Sequence, residues 1–324
     1  MRYFVTGGAG FIGSNYVRGL LNGSWGSHVE AVTIFDAFTY AGNIANLELV
    51  ASDPRLSIVT GDIRTAADID SAISGHDVIV HFAAESHVDR SIKSSSVFVT
   101  TNVLGTQQML EATMRHSVPT FIHVSTDEVY GSITEGSWDE TEPLLPNSPY
   151  AASKASSDLL AHSYARTYGL DVRITRCSNN FGTYQYPEKV IPVFVTNLID
   201  GIKVPLYGDG LNIRDWLHVD DHCWGIELVV QGGRSGEVYN IGGGTELTNR
   251  ELTSLILTTF GVGDEMIQPV ADRPGHDRRY SVNWSKIKQE LGYQPTKSLE
   301  SNIGEIVDWY RNHETWWRPL KVKR

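Results

Sequence analysis

Between Ser125 and Lys154 the chain gathers more acid-base groups than a simple binding protein needs. Asp127 and Glu128 are adjacent, directly after Ser125-Thr126 and an apolar run, Phe121-Ile122-His123-Val124, that reads as a buried strand. Two neighbouring carboxylates can act as acid and base at once if their surroundings hold one protonated and the other ionised. Further on, Tyr150-Ala151-Ala152-Ser153-Lys154 sets a phenol and an ammonium four residues apart. On a helix that spacing shares a face, so Lys154 is expected beside Tyr150, favouring its phenolate. Phenolate, hydroxyl and paired carboxylates suit proton abstraction from a carbinol followed by further proton transfers. The alternatives are a solvated loop pair and ordinary helix-surface residues.

Such groups need an oxidant, and the N-terminus offers a place for one. Arg2–Thr6 reads as a short apolar strand, followed by Gly7-Gly8-Ala9-Gly10-Phe11-Ile12-Gly13 and a helical stretch through Leu21. Glycines at 7, 10 and 13 between a strand and a helix fit a dinucleotide fingerprint: a tight turn, close approach of a pyrophosphate, and close helix–strand packing. A second strand, 29–35, leads to Asp36, 23 residues after Gly13, where an acid would bond the adenosine ribose and repel a 2′-phosphate. NAD is therefore expected rather than NADP.

Alternating strand and helix signals continue: 56–60, a helix near 66–74, 78–82, a long helix 97–116, a strand 120–125, the helix from Pro149 to Gly169, and a strand 171–176. This alternation predicts a parallel sheet covered on both faces, a doubly wound Rossmann-type α/β fold. Asp62 and Ile63 fall at a strand end, where an adenine edge could be read; the lesser alternative is that Asp62 caps the next helix. Ala83 and Ser86 follow the strand 78–82, at the carboxyl end where ligands of open sheets lie. Beyond about residue 183 the elements become shorter, with helices expected at about 187–200, 249–260 and 301–309. The expected division is a cofactor domain at 1–183, possibly taking back elements from the C-terminal half, and a smaller α/β substrate lobe at 184–324.

Composition narrows the partners. A formal charge of −11 opposes nonspecific nucleic-acid binding, so an anionic ligand must be held by a few placed cations. Two cysteines, Cys177 and Cys223, are too few for a disulfide framework and read as buried thiols. His81, His123 and His218 lie in or beside apolar strands without metal-ligand spacing and read as structural; no metal is expected. Neither a leader-like start nor a bilayer-length apolar run is visible, and a cytoplasmic protein with no membrane partner is expected.

Gly-x-x-Gly-x-x-Gly with a later Tyr-x-x-x-Lys resembles the extended short-chain dehydrogenase/reductase superfamily over essentially the whole chain. Ser125-Thr126-Asp127-Glu128-Val129-Tyr130-Gly131, Ala84-Glu85-Ser86-His87-Val88-Asp89-Arg90-Ser91 and Arg273-Pro274-Gly275-His276-Asp277-Arg278-Arg279-Tyr280 narrow the likeness to the dTDP-glucose 4,6-dehydratase family. The resemblance implies an NAD-dependent hydro-lyase acting on a nucleotide sugar in deoxysugar biosynthesis: oxidation at C4, elimination of water across C5 and C6, and hydride return to C6. It implies Thr126, Asp127, Glu128, Tyr150 and Lys154 as catalytic groups. Gly7, Gly10, Phe11, Ile12, Gly13, Asp36, Asp62, Ile63 and Ala83, with Tyr150 and Lys154, would hold NAD. Ser86, Thr126, Asn179, Lys189, Arg214, Asn249, Arg273, His276 and Tyr280 would surround the substrate, with Arg214 and Arg273 on its diphosphate. A homodimer through the helices near 97–116 and 149–168 is also implied. Two rivals remain: nucleotide-sugar epimerisation or decarboxylation on the same fold, and a catalytically silent NAD-binding scaffold.

Overall fold

A computed structural model describes residues 1–321. Among the described residues twelve strands follow in order: β1 (Arg2–Thr6), β2 (Ala31–Asp36), β3 (Leu56–Thr60), β4 (Val78–His81), β5 (Thr120–Thr126), β6 (Asp171–Cys177), β7 (Asn179–Phe181), β8 (Val204–Tyr207), β9 (Ile213–His218), β10 (Val238–Ile241), β11 (Glu246–Thr248) and β12 (Ile267–Val270). Seven form one parallel sheet in the order β3-β2-β1-β4-β5-β6-β10. The strand order reverses between β1 and β4, which opens a crevice at their carboxyl ends where ligands of such sheets bind.

The central strands are buried on both faces because helices cover both. On one side Tyr16, Val17 and Leu20 of the helix Phe11–Asn22 pack with Cys223, Ile226 and Val229 of Val219–Gly232. On the other, Met109 and Leu110 pack with Ala161 and Tyr164. The helix Val219–Gly232 lies within the stretch read as short elements, although its signals are present: His218 accepts the Asp220 amide at the N-cap, Asp220 and Asp221 occupy the first turn, and Val219, Cys223 and Ile226 repeat at helical spacing. With β10, it brings chain from beyond residue 183 onto the large sheet.

The expected long helix 97–116 is interrupted. Ser96–Phe98 is α-helical, Val99–Gly105 winds as a π-helix, and Thr106–Arg115 resumes the α-helix. The wider turn coincides with an inward polar residue: Asn102, 1% exposed, bonds both the amide and carbonyl of Glu85 and the hydroxyl of Ser153. Beyond the large sheet, β7-β9-β11 and β8-β12 form two small sheets. A separate apolar core unites Val193, Phe194, Leu252, Ile256, Ile303, Ile306 and Trp317.

Candidate active site

Strand β5 delivers the first catalytic candidates. Its seven residues run between β4 and β6, and the chain then tightens into a 3₁₀ turn, Asp127–Tyr130, capped by the Thr126 hydroxyl, which accepts the Glu128 amide at 3.4 Å. The turn points two successive carboxylates into the crevice. A second support is the helix Pro149–Tyr168. Ser148 caps it by accepting the Ala151 amide at 3.1 Å, Pro149 occupies the first turn, and Gly169 ends it in the left-handed conformation, φ 70°. Tyr150 and Lys154 sit in its first two turns, both buried.

Among the described residues no hydrogen bond joins the phenol and the ammonium. Lys154 Nζ donates to the Val124 carbonyl at 2.8 Å, which anchors the side chain to β5. Burial pushes its pKa down, while the Asp158 carboxylate one turn along the helix supports the charged form. Tyr150 is pushed well above the ordinary phenol range by burial and then by the negative field of Glu128, with the Thr126 hydroxyl acting in the opposite direction. Asp158 is itself held as an anion by Arg176 at 2.9 Å and His123 at 3.1 Å.

Asp127 and Glu128 have contrasting surroundings. Burial raises the pKa of both. Beyond burial, the strongest influences on Asp127 are the carboxylates of Glu128 and Asp215, which push it well above the usual carboxylate range. One Asp127 oxygen receives the Thr126 hydroxyl at 3.3 Å; the other, Oδ2, finds no partner among the described residues. Glu128 instead faces three cations, Lys189, Arg273 and Arg214, each favouring its ionised form. The physical consequence is an unlike pair: neighbouring carboxylates push Asp127 further toward its protonated form, whereas the cations around Glu128 oppose the rise that burial imposes on it.

These groups stand where two cavities join. The larger, about 480 Å³, extends from Asp36 past Gly7, Gly10, Phe11, Ile12 and Gly13 to Tyr150 and Lys154. Asp62, Ile63, Ala83, Ser86, Thr126 and Asp127 also line it, so every residue expected at the cofactor borders one space. Its shape depends on glycine: a Cβ on Gly13 would come within 2.3 Å of the Gly7 carbonyl oxygen, and Gly7 has φ +68° with Ala83 behind it. Asp36 accepts the Ala9 amide at 3.0 Å and the Phe38 amide at 2.8 Å, one on each carboxylate oxygen, leaving lone pairs for sugar hydroxyls. Asp62 does not cap a helix; its carboxylate is paired with Arg64. An open helix N-terminus beside bare backbone and a seated acid fits a dinucleotide.

The second cavity, about 200 Å³, shares Glu128, Asn179 and Lys189 with the first and adds Arg214, Asn249, Arg273 and His276. Lys189 donates to the Ser86 carbonyl at 2.7 Å, and Arg273 pairs with Asp89 at 3.2 Å while its Nε finds no partner among the described residues. His276 contacts Asp272 at 2.6 Å. Tyr280 lines neither cavity. Its hydroxyl donates to Asp277 at 2.5 Å and its ring lies 4.3 Å beneath the Arg214 guanidinium, which it holds toward the cavity. Sequence reasoning passed over His87, Gln185, Glu188, Phe194 and Tyr207, which also line this space. His87 belongs to the quoted Ala84–Ser91 run and Glu188 adjoins Lys189; the others lie where no local pattern marks a ligand.

The three histidines have structural partners. His81 bridges Thr6 at 2.7 Å and Thr106 at 3.1 Å, His123 meets Asp158, and His218 caps a helix. Cys177 and Cys223 are free and buried. Among the described residues no group of His, Cys, Asp and Glu could hold a metal ion, and no helix is long and apolar enough to cross a membrane.

A doubly wound parallel sheet with a glycine loop at its switch point and a Tyr-x-x-x-Lys helix across the crevice defines the extended short-chain dehydrogenase/reductase class. Within it, the chain belongs to the GDP-mannose 4,6 dehydratase family, whose model matches residues 4–306. It is 60% identical over 325 residues to a dTDP-glucose 4,6-dehydratase of Streptomyces antibioticus, covering 100% of this chain and 96% of that protein. The crystal structure of DesIV, a dTDP-glucose 4,6-dehydratase from Streptomyces venezuelae with NAD and dTDP bound, superimposes with a TM-score of 0.98 at 59% identity, covering 99% of this chain and 100% of that one. A UDP-glucose 4-epimerase from Thermotoga maritima, with UDP-glucose, is also similar, at a TM-score of 0.88 and 30% identity over 96% of this chain and 99% of that one.

Proposed function

We infer that this chain is an NAD-dependent hydro-lyase converting dTDP-D-glucose into dTDP-4-dehydro-6-deoxy-D-glucose and water. The observation that carries the reading is the placement of Asp127 and Glu128, adjacent carboxylates with unlike charged neighbours, where the cofactor and substrate cavities meet. NAD, when bound, supplies the acceptor for the C4 hydride and the donor that returns it to C6. Tyr150 is the base for the C4 hydroxyl proton; burial and Glu128 oppose its phenolate form, and the Thr126 hydroxyl favours it. The resulting ketone acidifies the C5 proton, which Glu128 removes. Asp127 gives its proton to the C6 hydroxyl, and water leaves. Glu128 then returns a proton to C5, so the sugar loses one water and gains nothing else. Arg214, Arg273 and Lys189 supply the positive charge that the diphosphate requires of an otherwise acidic protein.

Incubation with dTDP-glucose deuterated at C4 tests the assignment. Label at C6 of the product is expected; label remaining at C4 overturns it in favour of epimerisation, for which the surplus carboxylates have no use.

The proposal extends to a cytoplasmic homodimer formed through the neighbouring helices near 97–116 and 149–168. Supporting the dimer, Val99, Leu104 and Leu159 are 53%, 46% and 62% exposed on those helices, an apolar surface suited to a self-complementary interface. Light scattering should give twice the chain mass, and a monomer overturns it. The cytoplasm is the compartment where NAD and nucleotide sugars are available together.

A further inference from the structure

Trp316 and Trp317 lie on a short helix near the end of the described chain, Glu314–Trp317, far in sequence from the catalytic candidates. Their two indoles do different things. Trp317 is fully buried, donates to the Tyr310 carbonyl at 2.7 Å, and packs in the apolar core of the second lobe. It anchors the helix. Trp316, turned roughly 100° around the axis, points back to the cofactor domain and donates its indole N–H to the side-chain oxygen of Asn46 at 2.8 Å.

Asn46 is only 2% exposed and every polar part of it is engaged. Its amide nitrogen donates to the Ala9 carbonyl at 2.8 Å, and its own carbonyl accepts from the Arg18 guanidinium. The Ala9 carbonyl also receives the Asn43 amide at 3.0 Å, while the Ala9 N–H goes to Asp36 at 3.0 Å. Ala9 lies between the glycines that border the cofactor cavity, immediately before Gly10, which caps the helix Phe11–Asn22. A continuous line of hydrogen bonds therefore runs from the C-terminal helix to the glycine loop. Arg18 reinforces it from the side, stacking 4.1 Å from the Tyr184 ring, which in turn contacts Trp309 and Trp316.

We propose that Trp316 is a positioning residue for NAD: through Asn46 it fixes the Ala9 carbonyl and so the glycine loop in the shape that receives the cofactor pyrophosphate. Removing the indole N–H strands a buried acceptor on Asn46. The amide then gains by turning toward another donor, which takes away one of the two donors to the Ala9 carbonyl, leaving only the Asn43 amide, and loosens the loop. Because Trp316 touches neither cavity, its loss leaves the sugar and the acid-base groups in place.

This inference rests on NAD occupying the larger cavity, and the test separates the two. NAD binding to the apoprotein is measured calorimetrically for the wild type, Trp316→Phe, Asn46→Asp and the double variant, with turnover at saturating NAD and thermal melting recorded for each. Phe keeps the ring contacts and loses only the donor; Asp keeps the acceptor for the indole and loses the donor to Ala9. Each single variant should raise the NAD dissociation constant by about three- to ten-fold. The double variant should bind no more weakly than Asn46→Asp, since the two changes break one chain. Turnover of Trp316→Phe at saturating NAD should stay within about two-fold of the wild type. A Trp316→Phe dissociation constant indistinguishable from the wild-type value overturns the inference, as does a loss of turnover that excess NAD does not restore. Failure of the wild type itself to bind NAD overturns the cofactor assignment instead. Should Asn46→Asp not fold, the affinity of Trp316→Phe alone decides.

Discussion

Replacing Glu128 by Gln removes a carboxylate that is both the expected C5 base and an influence on Tyr150 and Asp127. The carboxamide cannot take the C5 proton, so elimination should slow by the usual worth of a positioned base, about 10²- to 10⁴-fold, or about 2.7–5.4 kcal/mol at 1.36 kcal/mol per decade. Oxidation at C4 should respond in the opposite sense. After burial, Glu128 is the largest influence raising the Tyr150 pKa, so its neutralisation favours the phenolate. Tyr150 works deprotonated, and a lower pKa moves the rising limb of the oxidation rate to lower pH. The same change removes a carboxylate that raises Asp127, bringing the Asp127 pKa down. Single-turnover mixing of the NAD-loaded variant with dTDP-glucose checks both effects, following reduced nicotinamide by absorbance and the sugar by mass spectrometry. Reduced cofactor and a C4 ketone that retains its C6 hydroxyl should accumulate, at a pH below the wild-type optimum for oxidation. Equal loss of oxidation and elimination would refute the division of labour between Tyr150 and Glu128. Tyr150→Phe is the contrasting control: it should suppress the first step and leave no reduced cofactor to observe.

Two further changes probe the scaffold. Gly13→Ala should abolish NAD retention, because its Cβ would lie 2.3 Å from the Gly7 carbonyl oxygen and 2.9 Å from Gly8 Cα, backbone that cannot move aside cheaply; retention equal to the wild type in a cofactor-release assay contradicts this close packing. Asp158 is raised by burial, yet His123 and Arg176 outweigh that and hold it down at about 2. A depressed carboxyl contributes stability that is complete above its unfolded value near 4 and is lost as pH falls toward 2, here roughly 2 kcal/mol at 1.36 kcal/mol per unit. Asp158→Asn should thus lower urea stability most at neutral pH, with the difference shrinking between pH 4 and 2; a constant difference across that window contradicts the ion-pair account.

Local pattern made some of this architecture readable and left other parts hidden. The glycine loop, Asp36 and the strand before Asp127 are legible because turn chemistry and apolar runs act within a few residues. The helix Pro149–Tyr168 carries its own cap and stop. Helical spacing put Tyr150 and Lys154 on one face but could not say where a flexible four-carbon chain would end; the Val124 carbonyl on a neighbouring strand decides that. Placement of β10 beside β6, and of Val219–Gly232 against Phe11–Asn22, rests on contacts across long stretches of chain that no local window contains. The π-turn at Val99–Gly105 escaped for a similar reason: it accompanies the three hydrogen bonds of Asn102 to Glu85 and Ser153, not any helix-breaking residue. Around the smaller cavity, Arg214 and Arg273 were recognisable as candidate anion ligands by type, whereas Tyr280 supports Arg214 from behind, a relation visible only in three dimensions.

The late arrival of β10 also governs how the polypeptide is made. When β6 leaves the ribosome, its outer edge, Ile174 to Cys177, has no neighbour until Val238–Ile241 emerges. At about 5–20 residues per second the intervening chain takes several seconds to synthesise. Throughout that interval the nascent sheet presents an unpaired edge of the kind that recruits other strands. Production of this enzyme at high levels is therefore exposed to aggregation during translation, and a chain cut before residue 238 would carry that open edge permanently.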